Sequence, residues 1–367
     1  MPMTCRTLLI AVNAAPKLSR PAVYRLAEEL ARWQDADAPP ELLAQEIGVP
    51  RVQMERAFAV RSGAEQAADR EQARAAALGA RLVVRDDPDY PEPLTVLALP
   101  PPVLYVAGEV PAGPAVAIVG SRRSDPYGNE AAALFAGSLA AAGVTIVSGF
   151  ARGIDAAAHQ AALATPGGKT VAVLGCGLAV DYPVGQSALK DEIARRGAVL
   201  SELATGVVPR PWHFPIRNRV IAALSAGVLV VQAAPRSGSL ITAHHAADLG
   251  REVWAVPGRI FDERSLGSHA LIRDGAALVE HPRDILDAID PNGRHRLPAG
   301  GPPAADLPQP PPGLTADLHA ALEPGRFEVA EDLAGRLAVS VDRVLGALLE
   351  LEVGGWIRRM PGPVYGR

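Results

Sequence analysis

Residues 115–128 read AVAIVGSRRSDPYG, and this stretch decides the fold. The unbroken apolar run before Gly120 is typical of a strand that is buried on both faces of a parallel sheet. Gly120 allows the chain to turn where a side chain would clash. Asp125 and Pro126 form a helix-start signal, a capping residue followed by a residue with a preset φ. A strand, a turn and a helix N-terminus offer free backbone N–H groups to an anion.

The turn does not match the two common phosphate-binding loops. A dinucleotide fingerprint needs G-x-G-x-x-G and an acidic residue about 20 positions later. Here a single glycine precedes the Ser-Arg-Arg tripeptide, and the next predicted strand, 144–147, is followed by Ser148 and Gly149 without a carboxylate. The string GGKT at 167–170 lacks the upstream glycine of a P-loop and precedes a strand. A nicotinamide dehydrogenase and a P-loop ATPase are therefore disfavoured, and no cofactor is expected.

The length and composition limit the class of protein. The 367 residues are enough for two or three domains, and no apolar run approaches the roughly 18 residues of a membrane span. Two cysteines, Cys5 and Cys176, provide neither a disulfide framework nor a cysteine zinc site. The apolar part of residues 1–16 is too short for a signal peptide. We therefore expect a cytoplasmic protein without a membrane partner.

The charge balance is slightly acidic, but the cations are almost all of one type. The formal net charge is −4, which alone does not indicate a nucleic-acid binder. Only three of the 36 cationic side chains are lysines, and the others are arginines. Arginine suits bidentate contacts with phosphate, although a GC-rich genome produces the same bias.

Composition and periodicity divide the chain into four segments. Residues 1–77 have helical spacing and predict a small SAM-like or helix-hairpin-helix-like domain. Residues 78–290 alternate between strands and helices, and residues 291–313 form a proline-rich linker. Residues 314–367 predict three helices and a β-hairpin, which is the pattern of a winged helix. Its third helix carries several acidic residues, which favours a weak or indirect role in DNA binding.

The second segment has the α/β alternation of a doubly wound, mostly parallel, Rossmann-like sheet. Two extended stretches, 79–84 and 100–106, come before the regular alternation and are expected to extend the sheet. The core strands are predicted at 116–119, 145–147, 170–174, 198–200, 228–231 and 253–256. The helices between them are predicted at 129–142, 154–163, 186–196, 217–226 and 242–249. Four glycines after helices are expected to adopt left-handed caps, at Gly143, Gly197, Gly227 and Gly250.

Five predicted loops meet at the carboxyl ends of the strands, where such sheets bind ligands. They bring together the arginines Arg122, Arg123, Arg152, Arg210, Arg217, Arg219 and Arg236. Three aromatic residues are interleaved with them, Phe150, Trp212 and Phe214. Cations that follow phosphates and rings that stack on unpaired bases are typical of single-strand binders. The alternative is that the aromatic side chains fill the core beneath the loops.

No catalytic or metal-binding constellation is predicted. His159, His244 and His245 lie on helices and are interpreted as packing or capping residues. No Ser-His-Asp order, metal-ligand cluster or carboxylate pair is evident. Two other functions stay open. One is a nucleoside-monophosphate hydrolase of a related fold, disfavoured because residues 237–242 lack a glutamate and Gln232 replaces a possible acidic residue. The other is a duplex binder that uses the winged helix.

With these residues identified, the chain resembles the bacterial DprA/Smf family of DNA-processing proteins of natural transformation. The resemblance covers about residues 79–289. It is carried by AIVGSRR at 117–123, SGFARGID at 148–155, VLGCG at 173–177, FPIRNRVI at 214–221, SGSLITA at 237–243 and AVPG at 255–258. Family members often carry an asparagine and a lysine shortly after a Tyr-Pro pair, and the sequence after Tyr182 and Pro183 has neither.

The resemblance implies an extended Rossmann-like core that forms a homodimer and binds single-stranded DNA without catalysis. It also implies protection of incoming strands and loading of the RecA recombinase onto them in transformation and recombination. The residues expected to bind DNA are Gly120, Ser121, Arg122, Arg123, Phe150, Arg152, Phe214, Arg217, Asn218, Arg219, Arg236, Ser237, Gly238 and Ser239.

Overall fold

The computed structural model describes residues 4–34, 36–290, 295, 310–322, 327–354, 356–360 and 364–366. The chain divides into two compact units, Met1–Ala299 and Gly300–Arg367. The described part of the first unit contains a nine-stranded sheet with helices around it, and that of the second contains a three-stranded sheet and three helices. In the described residues, no helix combines the length and the apolar character needed to cross a membrane.

The large sheet is mostly parallel, as the sequence predicts. Its strands are β1 (Ala80–Val84), β2 (Val103–Gly108), β3 (Ala115–Val119), β4 (Thr145–Ser148), β5 (Thr170–Val173), β6 (Ala198–Ser201), β7 (Gly227–Val230), β8 (Glu252–Ala255) and β9 (Ala277–Leu278). They lie in the order β1-β2-β6-β5-β4-β3-β7-β8-β9. The strands from β6 to β9 across the sheet pair in parallel, and β1 and β2 extend it in antiparallel pairing beyond β6.

The N-terminal segment is helical, and it packs inside the first unit. Its helices are α1 (Cys5–Ala14), α2 (Arg20–Glu28), α3 (Leu30–Trp33), α4 (Pro40–Ile47), α5 (Arg51–Arg61) and α6 (Ala64–Ala77). Trp33 is fully buried, and its indole N–H donates to the carbonyl of Leu26 at 2.8 Å. Leu8 and Ile10 of α1 share an apolar core with Leu82 of β1. The helical segment is therefore joined to the sheet by a common core.

Helices cover both faces of the sheet. They are α7 (Pro126–Ala141), α8 (Ile154–Ala164), α9 (Ser187–Arg196), α10 (His213–Ala223), α11 (Gly238–Asp248), α12 (Leu266–Arg273) and α13 (Pro282–Ile289). In β3, Val116 and Ile118 pack with α7 and α8, whereas Ala117 and Val119 pack with α10 and α11. All four side chains are buried. An unbroken apolar run is what a strand covered on both faces requires.

Two helices begin earlier than the sequence predicts. α10 begins at His213, four residues before Arg217, because Pro215 is tolerated in a first turn where its missing N–H costs nothing. α11 begins at Gly238, and Ser237 caps it by accepting a hydrogen bond from the backbone of the second helical residue. The earlier start of α10 places Arg217 inside a helix instead of at its end.

Two of the four glycines expected to cap helices have another role. Gly143 and Gly250 have φ values of 84° and 65°, so the prediction of left-handed caps is confirmed for them. It is wrong for Gly197 and Gly227, which do not adopt positive φ. A Cβ at Gly197 would lie 2.0 Å from the carbonyl oxygen of Thr170, and one at Gly227 would lie 2.3 Å from an indole ring. These two glycines allow close packing of neighbouring strands.

The second unit has the arrangement of a winged helix. It contains α14 (Leu314–Ala321), α15 (Ala330–Leu337) and α16 (Val341–Val353), with β10 (Phe327–Val329), β11 (Arg358–Met360) and β12 (Val364–Gly366). β12 pairs antiparallel with both other strands. Leu348 and Leu351 of α16 are fully buried in its core. Most of the predicted linker, 291–294 and 296–309, lies outside the described residues.

Candidate nucleic-acid interface

A cleft lies where the order of the strands reverses. β3 lies between β4 and β7, so successive connections leave it towards opposite sides of the sheet. Open α/β sheets bind ligands in the crevice at such a point, beyond the carboxyl ends of the strands. The cleft has a volume of about 420 Å³ and is bounded by the loop after β3 and the first turns of α10 and α11. We call it the first cleft.

Eleven of the fourteen residues predicted to bind DNA line the first cleft. They are Gly120, Ser121, Arg122, Arg123, Phe214, Arg217, Asn218, Arg236, Ser237, Gly238 and Ser239. A second cleft of about 380 Å³ shares Arg122, Arg123 and Phe214 with the first, and Phe150 and Arg152 line it. Arg219 lines neither cleft. The structure thus brings together most of the predicted surface.

Arg122 and Phe214 belong to both clefts. The guanidinium carbon of Arg122 lies 4.8 Å from the ring centroid of Phe214, a cation–π contact. The Tyr182 ring lies 5.6 Å from the same ring, and a Cβ at Gly175 would lie only 2.7 Å from it. Phe214 is half-buried. The ring is therefore held in place while part of its surface stays open.

Four arginines at the rim of the two clefts are exposed: Arg122, Arg123, Arg152 and Arg236. Among the residues that the structure describes, no carboxylate forms an ion pair with any of these four. An exposed, unpaired guanidinium keeps its donors available for an oxyanion such as phosphate. The rim is thus a local cationic surface on a chain whose net charge is −4.

The turn after β3 is fixed by packing. A Cβ at Gly120 would lie 2.7 Å from the Ile154 side chain, which confirms that a side chain would clash there. Asp125 caps α7 by accepting from the Gly128 N–H at 2.9 Å, as predicted. The Gln232 amide donates to the same carboxylate oxygen at 2.9 Å. Gln232 therefore joins the loop after β3 to the end of β7, a role that sequence reasoning missed.

Arg217 lines the first cleft but is itself buried, with 5% of its surface exposed. Its Nη1 donates to the carbonyl of Gly149 at 2.5 Å and to the carbonyl of Val173. Burial lowers the pKa of Arg217 to about 10. Since these carbonyls lie at the carboxyl ends of β4 and β5, Arg217 ties the two strands together. A phosphate contact by Arg217 stays a prediction that competes with these bonds.

Asp155 and Gly149 lie next to the guanidinium of Arg217. Burial raises the pKa of Asp155, and the neighbouring Arg217 opposes this rise. The carboxylate also accepts from the Ala151 N–H at 3.1 Å, so Asp155 holds the loop after β4. A Cβ at Gly149 would lie 2.7 Å from Arg217 Nη1 and 2.8 Å from Asp155 Oδ2. Only glycine fits between the buried cation and the buried carboxylate.

Phe150 is predicted to bind DNA, but its side chain is 3% exposed. Its ring packs 6.1 Å from the ring of His159, and its backbone has a φ of 56°. Stacking on a base requires a free ring face. We therefore leave Phe150 out of the proposed stacking surface and assign it to the wall of the second cleft.

Arg219 points away from both clefts. Residues two positions apart in a helix differ in direction by about 200°, so Arg217 and Arg219 face opposite sides of α10. The Arg219 guanidinium donates to Glu202 at 2.6 Å and to the Tyr24 hydroxyl at 2.7 Å. Burial opposes its charge, but Glu202 and Tyr24 together raise the pKa of Arg219. With its charge paired inside the protein, Arg219 is not included in the proposed surface.

The segment before α10 carries an exposed aromatic side chain. Trp212 is 56% exposed, and the guanidinium carbon of Arg210 lies 5.4 Å from its ring centroid. Arg210 and Trp212 thus form the same kind of cation–π contact as Arg122 and Phe214, and Trp212 lies two residues before Phe214 in the sequence. The alternative that Trp212 fills the core is wrong, because more than half of the residue's surface is exposed.

The second cleft has walls that sequence reasoning missed. Tyr182, Pro183 and Cys176 line it, although none of the three is among the residues predicted to bind DNA. Burial raises the pKa of the Cys176 thiol to about 11. Lys190, which follows this loop, donates to the Leu178 carbonyl at 3.0 Å. Lys190 therefore helps to hold this loop.

The described residues contain no group of three or more His, Cys, Asp and Glu side chains that could hold a metal ion. His159 is fully buried and is hydrogen-bonded to the Thr170 hydroxyl at 2.7 Å. Burial lowers its pKa to about 3, so its imidazole is neutral near pH 7. The interpretation of His159 as a packing residue agrees with these contacts.

Comparison with known proteins identifies the family. A model of the family "DNA recombination-mediator protein A" matches residues 81–290, and a model of the DprA winged helix domain matches residues 302–363. Protein Smf of Escherichia coli is 42% identical over 290 residues, which cover 77% of this chain and 76% of that protein. The chain belongs to the DprA/Smf family.

Two solved DprA structures are similar to this DprA/Smf chain. The protein from Streptococcus pneumoniae matches with a TM-score of 0.65 at 35% identity, covering 78% of this chain and 98% of the other. The protein from Helicobacter pylori matches with a TM-score of 0.51 at 30% identity, covering 57% and 96%. That second structure is described as revealing a unique single-stranded DNA binding mode. The predicted fold, a Rossmann-like core with a winged helix, is confirmed.

Proposed function

We propose that the joined clefts bind single-stranded DNA. One observation carries this proposal: the exposed Arg122 lies over the half-buried Phe214 ring on the wall that both clefts share. Arg123, Arg152 and Arg236 also line these clefts, and none of them forms an ion pair in the described part of the chain. Guanidinium groups contact phosphates while a ring takes an unpaired base, at about 1–3 kcal/mol per stacked base.

Single strands are expected to bind more tightly than duplexes. The Phe214 ring lies at the wall of a cleft, where a base can reach it only after leaving its stack in a duplex. Phosphate contacts alone do not distinguish the two forms. The single-stranded DNA binding mode described for the Helicobacter pylori relative supports the proposal that this chain binds single strands.

The experiment is a comparison of single- and double-stranded oligonucleotides of one sequence, by filter binding, at two salt concentrations. The single strand is expected to bind more tightly at both, and its affinity is expected to fall as salt rises. Equal affinity for both forms would contradict the role of the aromatic ring. Affinity that does not change with salt would contradict the role of the arginines.

The cellular role follows from the family resemblance. We infer that the protein acts in the cytoplasm, where it protects strands that enter during transformation and loads RecA onto them for recombination. RecA loading is tested by following RecA ATP hydrolysis on DNA already coated with single-strand binding protein. Hydrolysis should start sooner when this protein is added. An unchanged lag contradicts the loading role but leaves the DNA-binding proposal intact.

A homodimer through the Rossmann-like unit is part of the same proposal. Ile260 and Phe261, in the segment after β8, are 70% and 94% exposed, and Leu278 of the edge strand β9 is also exposed. Large apolar side chains exposed to this extent are typical of a surface that is covered in an assembly. Sedimentation of the wild type and of Phe261→Asp tests it. A wild-type monomer contradicts the proposal.

The hydrolase alternative is tested with the same protein preparation. It predicts release of free base from a nucleoside monophosphate, and loss of that release in the Arg122→Ala variant. The binding proposal predicts no release from any nucleotide of a panel. Gln232, interpreted from the sequence as replacing a possible acidic residue, holds Asp125 through its amide.

A further inference from the structure

α10 is held on two opposite sides. On one side Arg217 is bonded to the ends of β4 and β5 at the first cleft. On the other side Arg219 donates to the Glu202 carboxylate and to the Tyr24 hydroxyl. Glu202 lies in the loop after β6, and Tyr24 lies on α2 of the helical N-terminal segment. The helix that carries Phe214 is therefore in direct contact with that segment.

The contact is a buried ionic network and not a surface ion pair. The Tyr24 hydroxyl donates to Glu202 at 2.5 Å, and the same carboxylate oxygen accepts from Arg219. The Tyr24 ring lies between two guanidinium groups, with the carbon of Arg20 at 4.8 Å and that of Arg219 at 4.9 Å from its centroid. Burial and Glu202 raise the pKa of Tyr24 to about 12, so its hydroxyl stays a donor. Removing one partner of such a network leaves the others unpaired inside the protein.

A second carboxylate joins the helical segment to the same loop without touching α10. Glu71 of α6 accepts from the Thr205 N–H at 2.8 Å and from its hydroxyl at 3.0 Å. Glu71 and Glu202 are both buried at this junction. Only Glu202 contacts a residue of α10. Glu71 therefore serves as a matched control for Glu202.

We propose that Arg219, Glu202 and Tyr24 position α10, so that the helical N-terminal segment sets the affinity of the first cleft for single-stranded DNA. This inference rests on the proposed function of the clefts. Arg219 is in this view a positioning residue and not a phosphate contact. Phe214 and Arg217 lie on the same helix within five residues of it, and a helix transmits a change of position along its length as a rigid element.

The test compares four full-length proteins: wild type, Glu202→Gln, Glu71→Gln and Tyr24→Phe. Single-strand affinity is measured by anisotropy of a labelled oligonucleotide at several salt concentrations. Glu202→Gln and Tyr24→Phe are expected to weaken binding about three- to tenfold through loss of a coupled contact. Glu71→Gln is expected to stay within about twofold, since the bonds of Glu71 go to Thr205 and not to α10.

The salt dependence separates positioning from contact. If Arg219 does not touch DNA, Arg219→Gln lowers affinity and leaves the slope of log affinity against log salt as in the wild type. A phosphate contact would reduce that slope by about one. Thermal unfolding of each variant gives the folded fraction at the assay temperature, and affinities are compared per folded molecule.

The outcomes are distinct. A wild type that does not bind single strands contradicts the proposed function itself. Normal binding by the wild type, together with equal losses in Glu71→Gln and Glu202→Gln, contradicts the positioning role, because any loosening of the junction would then suffice. A reduced salt slope in Arg219→Gln also overturns it. If Glu202→Gln does not fold, Tyr24→Phe decides, since it keeps the ring between the two guanidinium groups and removes only the hydroxyl.

Discussion

Arg122 and Phe214 join two elements that are far apart in the sequence: the guanidinium carbon of one lies 4.8 Å from the ring centroid of the other. Arg122 belongs to the loop after β3, and Phe214 belongs to the first turn of α10. Their contact places a cation and an aromatic ring on the same wall of the first cleft. A nucleotide has the two complementary parts, a phosphate and a base.

Replacing Arg122 should weaken single-strand binding in a way that depends on salt. Arg122→Ala is expected to reduce the slope of log affinity against log salt by about one, because one phosphate contact is lost. Arg195→Ala is the control, since Arg195 is an exposed arginine in the last turn of α9 and lines neither cleft. Filter binding across a salt series gives both slopes. Equal slopes in the two variants would argue against a phosphate at Arg122.

Trp212 should report binding by its own fluorescence. Trp33 and Trp254 are buried, whereas Trp212 is 56% exposed, and stacking of a base on its ring is expected to quench its emission. The Trp212→Phe variant should lose most of this quenching. Its affinity for the single strand should fall only slightly, because a phenyl ring still stacks. If the wild type binds a labelled oligonucleotide without any change in emission, Trp212 lies outside the path of the strand.

Gly149→Ala should destabilise the first unit. The added methyl group would lie 2.7 Å from Arg217 Nη1 and 2.8 Å from Asp155 Oδ2, which cannot both move without losing their bonds. Overpacking of this kind costs about 1–3 kcal/mol. Gly206→Ala is the control, because a Cβ there has no neighbour within 4 Å. Thermal unfolding of the two variants measures the difference, and equal midpoints would show that the site adapts to the methyl group.

His159 should make the folded state sensitive to acid. Its pKa is about 3 in the folded protein and 6.5 in a model compound, so the unfolded chain takes up the proton first. The stability that neutral His159 contributes is complete above pH 6.5. It is lost as the pH falls from 6.5 towards 3, at no more than about 1.4 kcal/mol per pH unit.

The His159→Gln variant lacks this titration. Its free energy of unfolding should therefore fall less steeply between pH 6.5 and 4.5 than that of the wild type, as measured by urea denaturation. The other titrating groups are common to both proteins and cancel in the comparison. Parallel pH profiles would mean that His159 takes up its proton without unfolding.

The sheet and the place of the clefts follow from local signals in the sequence. The apolar run in β3 has no polar alternation, so it predicts burial on both faces, and both faces are covered. Asp125 and Pro126 predict the start of α7, where the helix begins. Because parallel strands end at one edge, the arginine-bearing loops could be assigned to a common rim without knowledge of the strand order.

The roles of individual arginines could not be predicted in the same way. Arg217 and Arg219 belong to one motif, but the helix turns by about 200° between them and sends them to opposite environments. The partners of Arg219 are Glu202 and Tyr24, which are remote in the sequence. Only the folded structure shows that Arg219 is paired with a carboxylate and that Arg217 is bonded to two carbonyls. It also shows that Arg122 is exposed to solvent.

The bonds from Arg217 to the carbonyls of Gly149 and Val173 affect how alanine scans of this protein are interpreted. Removing Arg217 abolishes a cross-brace between two strands and leaves Asp155 without its neighbouring cation. A variant without Arg217 that no longer binds DNA would then have lost the shape of the first cleft, whether or not Arg217 contacts a phosphate in the wild type. Affinity measured without a matching stability measurement cannot assign this residue to recognition.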